Sequence, residues 1–551
     1  MPYLVSLIMA FILLLSWQFI KHQALQEPTL EVKIGRDVSS SEENATRPQE
    51  QEEELTKDEP ISPPLIPAFP EAQGGGAYAR GGRGGKVYVV TNLHDRGEGS
   101  LRYGLEKLTG PRTIVFAVGG YIHLSYPIVV DHDGFITIAG QTASGDGITL
   151  TTIQSKEPVL IFRHAHDIIL RYLRIRKGGT KAQGQHGSGL VISRGGENII
   201  VDHCSVSWTG DDNINIWADA SGEEGLRNIT IQNSISAEGL NYGHPGTSLI
   251  AGGSAFVEKM ENISIHHNFF ANNKNRNPLL KVASGEIINN LVYNWSWWAT
   301  GIGGGIRVDI ISNYYQAGPL TRYRGRGEVL FKPYDPQAKT PEATGVLGNP
   351  SIYFEGNVGP HHTNPLTDGW NAMIERVSPH WGYPLRGGKP KKASLELHYR
   401  RRVRQEHRFP VTVHPATTLP SMLLAEGGVG ASQRLQADGS WVVNRDLVDR
   451  RLIQEFHKGE GKLVQTVDDV GGWVVYEAGR YRYVSEAEMM AHLDRYLLDG
   501  GTPYRDHDQD GMPDVWERLY HLDPNNPDDA IEDQDGDGYE NLEEFLNGTT
   551  P

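Results

Sequence analysis

The chain has 551 residues, with 64 Gly, 31 Pro, a single Cys and a formal net charge of −16. Such length and composition exclude a small disulfide-stapled scaffold and a helical bundle, and they favour many short strands separated by turns. The charge is uneven: residues 22–60 carry net −7 and 501–551 net −13, so residues 61–500 carry about +3 and can face a polyanion without global repulsion.

Residues 3–20 are almost wholly apolar and uncharged, long enough for a membrane-spanning helix, and Lys21 follows the run instead of preceding it. Residues 1–22 are therefore expected to be either a cleaved signal or a retained anchor, and both place the remainder outside the cytoplasm. Residues 23–64 are rich in Glu, Gln, Ser and Pro (Gln51-Glu52-Glu53-Glu54, Pro63-Pro64). They cannot bury enough apolar surface to offset the entropy of ordering, which predicts a disordered acidic linker.

From 65 onward a phrase recurs: Asn198-Ile-Ile-Val-Asp-His-Cys-Ser205, Asn228-Ile-Thr-Ile-Gln-Asn-Ser-Ile235 and Asn262-Ile-Ser-Ile-His-His-Asn-Phe269. Related copies are Asp167–Leu173, Glu286–Leu291, Asp309–Tyr314 and Ser351–Asn357. Aligned positions 173, 204, 234, 268, 290 and 313 lie 22 to 34 residues apart. Short β-branched strands at that interval predict a solenoid over 65–500, each rung stacked on the last, with Asn268, Asn290 and Asn313 forming a ladder at one turn. A β-sandwich with strands of similar length is the competing reading; the repeated Ile-x-Ile-x-x-Asn phrase disfavours it.

Two polar stretches stand out on this scaffold. Asp211-Asp212-Asn213-Ile214-Asn215 is an acidic cluster, and in a continuous strand Asp211, Asn213 and Asn215 would share one face. Asn275-Arg276-Asn277-Pro278 holds an arginine in a rigid Arg-x-Pro. Residues 386–408 are strongly basic and read either as a polyanion-binding face or as a solvated loop. Residues 444–456 and, more weakly, 484–493 have helical periodicity and are expected to pack along the solenoid.

Residues 501–551 contain two calcium-loop patterns. Asp506, Asp508, Asp510, Asp514 and Glu517 occupy loop positions 1, 3, 5, 9 and 12 of the first, with Gly511 at the sharp turn; Asp533, Asp535, Asp537, Asn541 and Glu544 repeat the pattern. Pro513 lacks the N–H that usually pairs two such loops, which favours a fixed calcium-stapled module over a sensor.

Taken in order, Ala68–Gly75, Gly81-Gly-Arg-Gly-Gly85, Ile200-Val-Asp-His-Cys-Ser-Val-Ser-Trp208, Arg276-Asn-Pro278, Asn289-Asn-Leu-Val-Tyr-Asn-Trp295 and Asn313-Tyr-Tyr315 make the chain resemble the bacterial pectate lyases. The resemblance covers about 67–365 and implies an all-β fold, the right-handed parallel β-helix. It implies a calcium-dependent lyase of acidic plant-wall polysaccharide (polygalacturonate), with no nucleic-acid partner, expected as a monomer.

In that family's pattern Arg276 matches the base. Lys281 falls where a second, substrate-binding arginine stands, and His244 is the candidate stand-in for a lysine on the preceding rung. Lys274 is a further neighbouring cation. Asp211, Asp212 and Asn215 are the expected calcium ligands, with Asp202 supporting; Asn215 replaces an acid of the family. A guanidinium is an awkward base: deprotonating one about 4 units below its solution pKa costs roughly 5 kcal/mol. Burial, Lys274, Lys281 and calcium would supply part of that. Thr209-Gly-Asp-Asp212 with Tyr242-Gly-His244 also resembles polygalacturonases, hydrolases that use an acid pair. A non-catalytic polysaccharide-binding solenoid is the third reading.

Overall fold

Tyr172, His203, Asn233, His267, Asn289 and Ser312 all adopt left-handed backbone, with φ between 48° and 59°, and each immediately precedes an aligned position of the repeat. The chain therefore bends at the same place on every rung, and β-branched strands run between the bends. A computed structural model describes residues 66–551 apart from 154, 180–186, 222–224, 243–245, 322–326, 334–344, 377–396 and 437. The expected signal or anchor and the acidic linker lie outside the described residues. Among these, no helix is long and apolar enough to cross a membrane.

The strands form three long parallel sheets of ten, nine and eight strands, one strand per rung in each, so the fold is a right-handed parallel β-helix. Residues facing inward stack in columns. Ile138, Leu170, Val201, Ile231, Ile265, Ile287, Ile310 and Phe354 are register neighbours along the ten-stranded sheet. None is more than 5% exposed. Each such side chain contributes about 1.5–3 kcal/mol of burial.

The asparagine ladder is present and longer than the sequence reading. Asn268 N–H donates to Asn290 Oδ1 (3.1 Å), Asn290 N–H to Asn313 Oδ1 (2.9 Å) and Asn313 N–H to Asn357 Oδ1 (2.9 Å). Upstream it passes through Ser234 to the backbone of Cys204.

Two walls of the β-helix are covered by other parts of the chain. On the ten-stranded sheet, Gly75 N–H donates to Ser264 Oγ and Gly82 N–H to Thr137 Oγ1 (both 2.9 Å). A Cβ at Gly75 would lie 2.1 Å from Asn262 O, so this glycine-rich lead-in is a close-packing strap. The basic stretch crosses the same wall: Arg401 pairs with Asp309, and Arg404 lies 3.6 Å from Glu286. Arg401 and Arg404 are thus engaged with acids on the sheet, and Arg400 pairs with Asp368 (2.6 Å).

The eight-stranded wall is covered by the expected helix, here Leu447–Lys458, capped by Asp446, whose side chain accepts Asp449 N–H. Val448, Leu452 and Phe456 pack with Ile235, Phe269, Leu291 and Tyr293. The second expected helix is short, Glu486–Ala491. The tail packs on the first rungs: Met512, Trp516, Leu542 and Phe545 share an apolar cluster with Val115 and Ala139.

Candidate active site

On the third wall, strands Ile214–Ala218, Leu249–Gly253 and Leu279–Leu280 are successive members of the nine-stranded sheet, with Asn215, Ile250 and Leu279 in register. Asp212 and Arg276 each sit three residues ahead of that row, so they occupy equivalent places two rungs apart. Rungs repeat every 4.8 Å or so, a gap of roughly 10 Å that an extended arginine can bridge. It does: Arg276 Nη1 lies 2.6 Å from Asp212 Oδ2. Asp212 is 2% exposed.

The backbone around Arg276 is tied on both sides. Leu249 N–H donates to Arg276 O (2.8 Å) and Asn277 N–H to Ala299 O (2.9 Å). Thr300 Oγ1 donates to Asn277 O (2.7 Å), and Asn273 Nδ2 to Asn277 Oδ1 (3.0 Å). Arg276 itself is left-handed, φ 61°, and the Asn277–Pro278 bond is cis. The guanidinium is thereby presented from a backbone held by neighbouring rungs.

Residues 211–213 form a turn, not a strand, so the expected shared face is broken. Asp211 is half-buried at the turn. Asn213 points inward, donating to Ala237 O (3.0 Å) and accepting from Thr209 Oγ1 (2.7 Å). Asn215 faces outward, and its buried Oδ1 has no donor among the described residues.

Lys281 lies on the same outer face two residues beyond Leu279, with its Cβ 3.6 Å from where one would stand on Gly252. Lys274 Nζ is 3.4 Å from Asn241 Oδ1, and burial lowers its pKa. His244 lies outside the described residues.

Asp202 is not brought to this place. It ends strand Glu197–Asp202 of the ten-stranded sheet, fully buried, with Arg171 and His203 each 2.9 Å away. Gln232 and Asn233 also donate to it (2.9 and 3.1 Å). These partners hold its carboxyl well below the ordinary range despite burial. A carboxylate so engaged on another wall is not available to ions bound near Asp211.

Sequence reading missed an aromatic patch on the outer face of this sheet. Ile250, Leu279, Trp298 and Leu330 cluster there, with Trp217 and Trp297 packed against them. Trp217 is two residues past Asn215 in one strand, an alternation visible only once the strand is known to start at Ile214. Lys332 was also missed; it pairs with Gly303, one rung beyond the level of Lys281.

In the tail, oxygens of Asp506, Asp508 and Asp510 lie within 4.8 Å of one another, as do those of Asp533, Asp535 and Asp537. Burial, then neighbouring carboxylates, push Glu517 up to about 8 and Glu544 up to about 7. The position-9 residues behave differently from expectation. Asp514 accepts His507 N–H (2.9 Å) and pairs with Arg518 (2.9 Å) and Arg505 (3.1 Å). Asn541 accepts Gln534 N–H (3.4 Å). Both side chains brace their loops.

No family model matches the chain. The probable pectate lyase C of Aspergillus terreus is 33% identical over 491 residues, covering 88% of this chain and 94% of that protein. The probable pectate lyase C of Aspergillus fumigatus is also 33% identical, over 490 residues, with the same coverage. Among solved structures, jun a 1, the major allergen from cedar pollen, is 20% identical with a TM-score of 0.43, covering 64% of this chain and 90% of that one. These curated relatives are fungal, so the motifs identify the family and not a bacterial branch of it. By its likeness to the two Aspergillus proteins along nearly their whole length, the chain belongs to the pectate lyase family.

Proposed function

We propose that the chain is a pectate lyase that cleaves α-1,4-linked polygalacturonate by β-elimination, leaving 4,5-unsaturated ends. The observation that carries this reading is the meeting of Arg276 and Asp212, two rungs apart, on the outer wall of the nine-stranded sheet. The C5 proton of a uronate lies α to a carboxylate, so its removal builds charge on a group already anionic. Arg276 takes that proton in its neutral form, which requires Asp212 to release its guanidinium; the C5–H electron pair becomes the C4–C5 double bond, and the C4 oxygen leaves with its sugar and takes a proton from water. Lys281 and Lys274 engage uronate carboxylates, and the tryptophans at 217 and 297 face the sugar rings.

Asp211 and Asn215 would hold calcium, joined by Asp212 once it releases Arg276. The fit rests on an all-oxygen donor set, including the buried Asn215 Oδ1, which has no donor among the described residues. Calcium bound there would withdraw charge from the uronate carboxylate as the proton leaves. Two carboxylates and an amide leave much of a coordination shell of about six to eight oxygens to substrate and water.

The two tail loops are proposed as further calcium sites, Asp506, Asp508, Asp510 and Glu517 in one and Asp533, Asp535, Asp537 and Glu544 in the other. The enzyme is proposed to act outside the cytoplasm as a monomer.

The test is incubation of the full chain with polygalacturonate, with and without chelator. Ultraviolet absorbance that accumulates only with calcium is the expected result. Reducing ends without absorbance would instead mark a hydrolase, and retention of polymer without either would mark a binding protein.

A further inference from the structure

The two tail loops share a pattern but not surroundings. Asp533, Asp535 and Asp537 are exposed, whereas Glu517 is fully buried and Asp510 is 2% exposed. A third acid joins these two from outside either loop: oxygens of Asp510, Glu517 and Asp529 lie within 4.8 Å of one another, with Asp529 5% exposed. Asp510 also belongs to the trio with Asp506 and Asp508, so five carboxylates converge. Asp508 Oδ1 and Oδ2, Asp510 Oδ2, Glu517 Oε1 and Oε2, and Asp529 Oδ1 are buried with no donor among the described residues. Clustered, buried, undonated carboxylate oxygens are strongly disfavoured unless a cation shares them. Six such oxygens, with no nitrogen or sulfur, match a hard divalent ion.

Asp529 is also oriented for that place. Its other oxygen accepts Asp523 N–H (3.0 Å), and its backbone carbonyl accepts Asn541 Nδ2 (2.8 Å) from the second loop. Asp514, the residue the pattern nominates, is occupied by His507 N–H and two arginines.

The loop sits directly on the β-helix. A Cβ at Gly511 would lie 3.1 Å from Val87 Cγ1 and 3.3 Å from Val115 Cγ1, side chains of the first two strands. Nearby, Arg83 pairs with Glu543 (2.6 Å), and Gly84 N–H donates to Glu540 (2.6 Å).

We infer that Asp529, in place of Asp514, completes a five-carboxylate calcium site with Asp506, Asp508, Asp510 and Glu517, and that this site fastens the tail to the first rungs of the β-helix. The inference rests on the reading of the loops as calcium sites and is separate from catalysis.

The test is thermal unfolding and calorimetric titration of the full chain with calcium alone, for the parent, Asp529→Asn and Asp514→Asn. The parent is expected to melt higher with calcium. Asp529→Asn should weaken the tight class of calcium on the order of tenfold or more. In chelator it should melt at or above the parent, because a charge has left a repulsive cluster. Asp514→Asn should keep its calcium affinity within roughly twofold of the parent. Asp529→Asn titrating like the parent, failing to fold in chelator where the parent folds, or being matched by Asp514→Asn would overturn the inference. A parent with no calcium-dependent melt would overturn the loop reading itself. Polygalacturonate turnover by Asp529→Asn at saturating calcium should equal the parent's, which keeps the outcome distinct from the lyase proposal.

Discussion

The ten- and eight-stranded walls and the nine-stranded wall come from the same repeats yet meet different surroundings. The first two carry large outward clusters sealed by other segments: Phe269 and Tyr293 under the helix at 447–458, and Ile169 and Ile200 under Ala68–Ala79. The third carries a small cluster with two half-buried tryptophans, beside Asp211, Arg276 and Lys281. On a parallel β-helix every rung offers three outward faces of similar chemistry. Among the described residues, the lead-in and the helix at 447–458 seal two of them, and the proposed site lies on the third.

That contrast can be broken most sharply at Arg276. Arg276→Ala should lower lyase turnover by about 10³-fold or more while the chain stays folded, measured as product absorbance beside a melting curve. Turnover within tenfold of the parent would leave the third wall without its proposed base. Phe456→Ala, on a sealed wall, should do the reverse. The ring lies 5.2 Å from that of Tyr293, and its loss should cost about 3–5 kcal/mol of stability with turnover of the folded enzyme unchanged.

A third expectation concerns acid. His266 and His123 are pushed down to about 4 by burial, and His267 is also well below the ordinary value. Each is neutral when folded and takes up a proton on unfolding between about pH 6.5 and 4. Their stabilisation is therefore complete above about pH 6.5 and lost as the pH falls toward 4. Denaturant midpoints should drop by an amount equivalent to a few kcal/mol across that window; a flat profile would contradict the neutral, buried placement. Smallest is Lys281→Met, expected to raise KM for polygalacturonate about tenfold with kcat little changed, since it removes one charge contact from the third wall.

Much of this architecture was legible in the sequence because repetition amplifies a weak signal. One Ile-x-Ile-x-x-Asn says little, but several copies specify parallel rungs, and the asparagines in phase specify the ladder. Arg276 was legible for a related reason, since Arg-x-Pro departs from the repeat. Which wall a residue faces was not. Asp202 and Asp211 are nine residues apart, but the strand Ser205–Ser207 of the eight-stranded sheet lies between them, so they end on different walls.

The glycine-rich lead-in, one of the motifs that carry the family resemblance, is a strap, because close backbone approach demands glycine wherever it occurs. Asp529 escaped for the opposite reason: it joins the first loop from 12 residues beyond Glu517, where no spacing rule looks.

The asparagine ladder has an end, and its position has consequences. Its amides run from Asn357 back to Asn268, the Ser234 hydroxyl carries it on, and it stops at the Cys204 backbone; the preceding aligned position is Leu173, whose side chain has no polar group to pass it on. Later coils are thus laced together by side-chain dipoles along their own seam. Earlier coils lack that seam and carry the docked tail instead, while the lead-in strap reaches both halves, at Thr137 and at Ser264. The solenoid's two halves are thus held differently, and with calcium in the tail loops as proposed a chelator should loosen the early coils and leave the laced ones comparatively untouched.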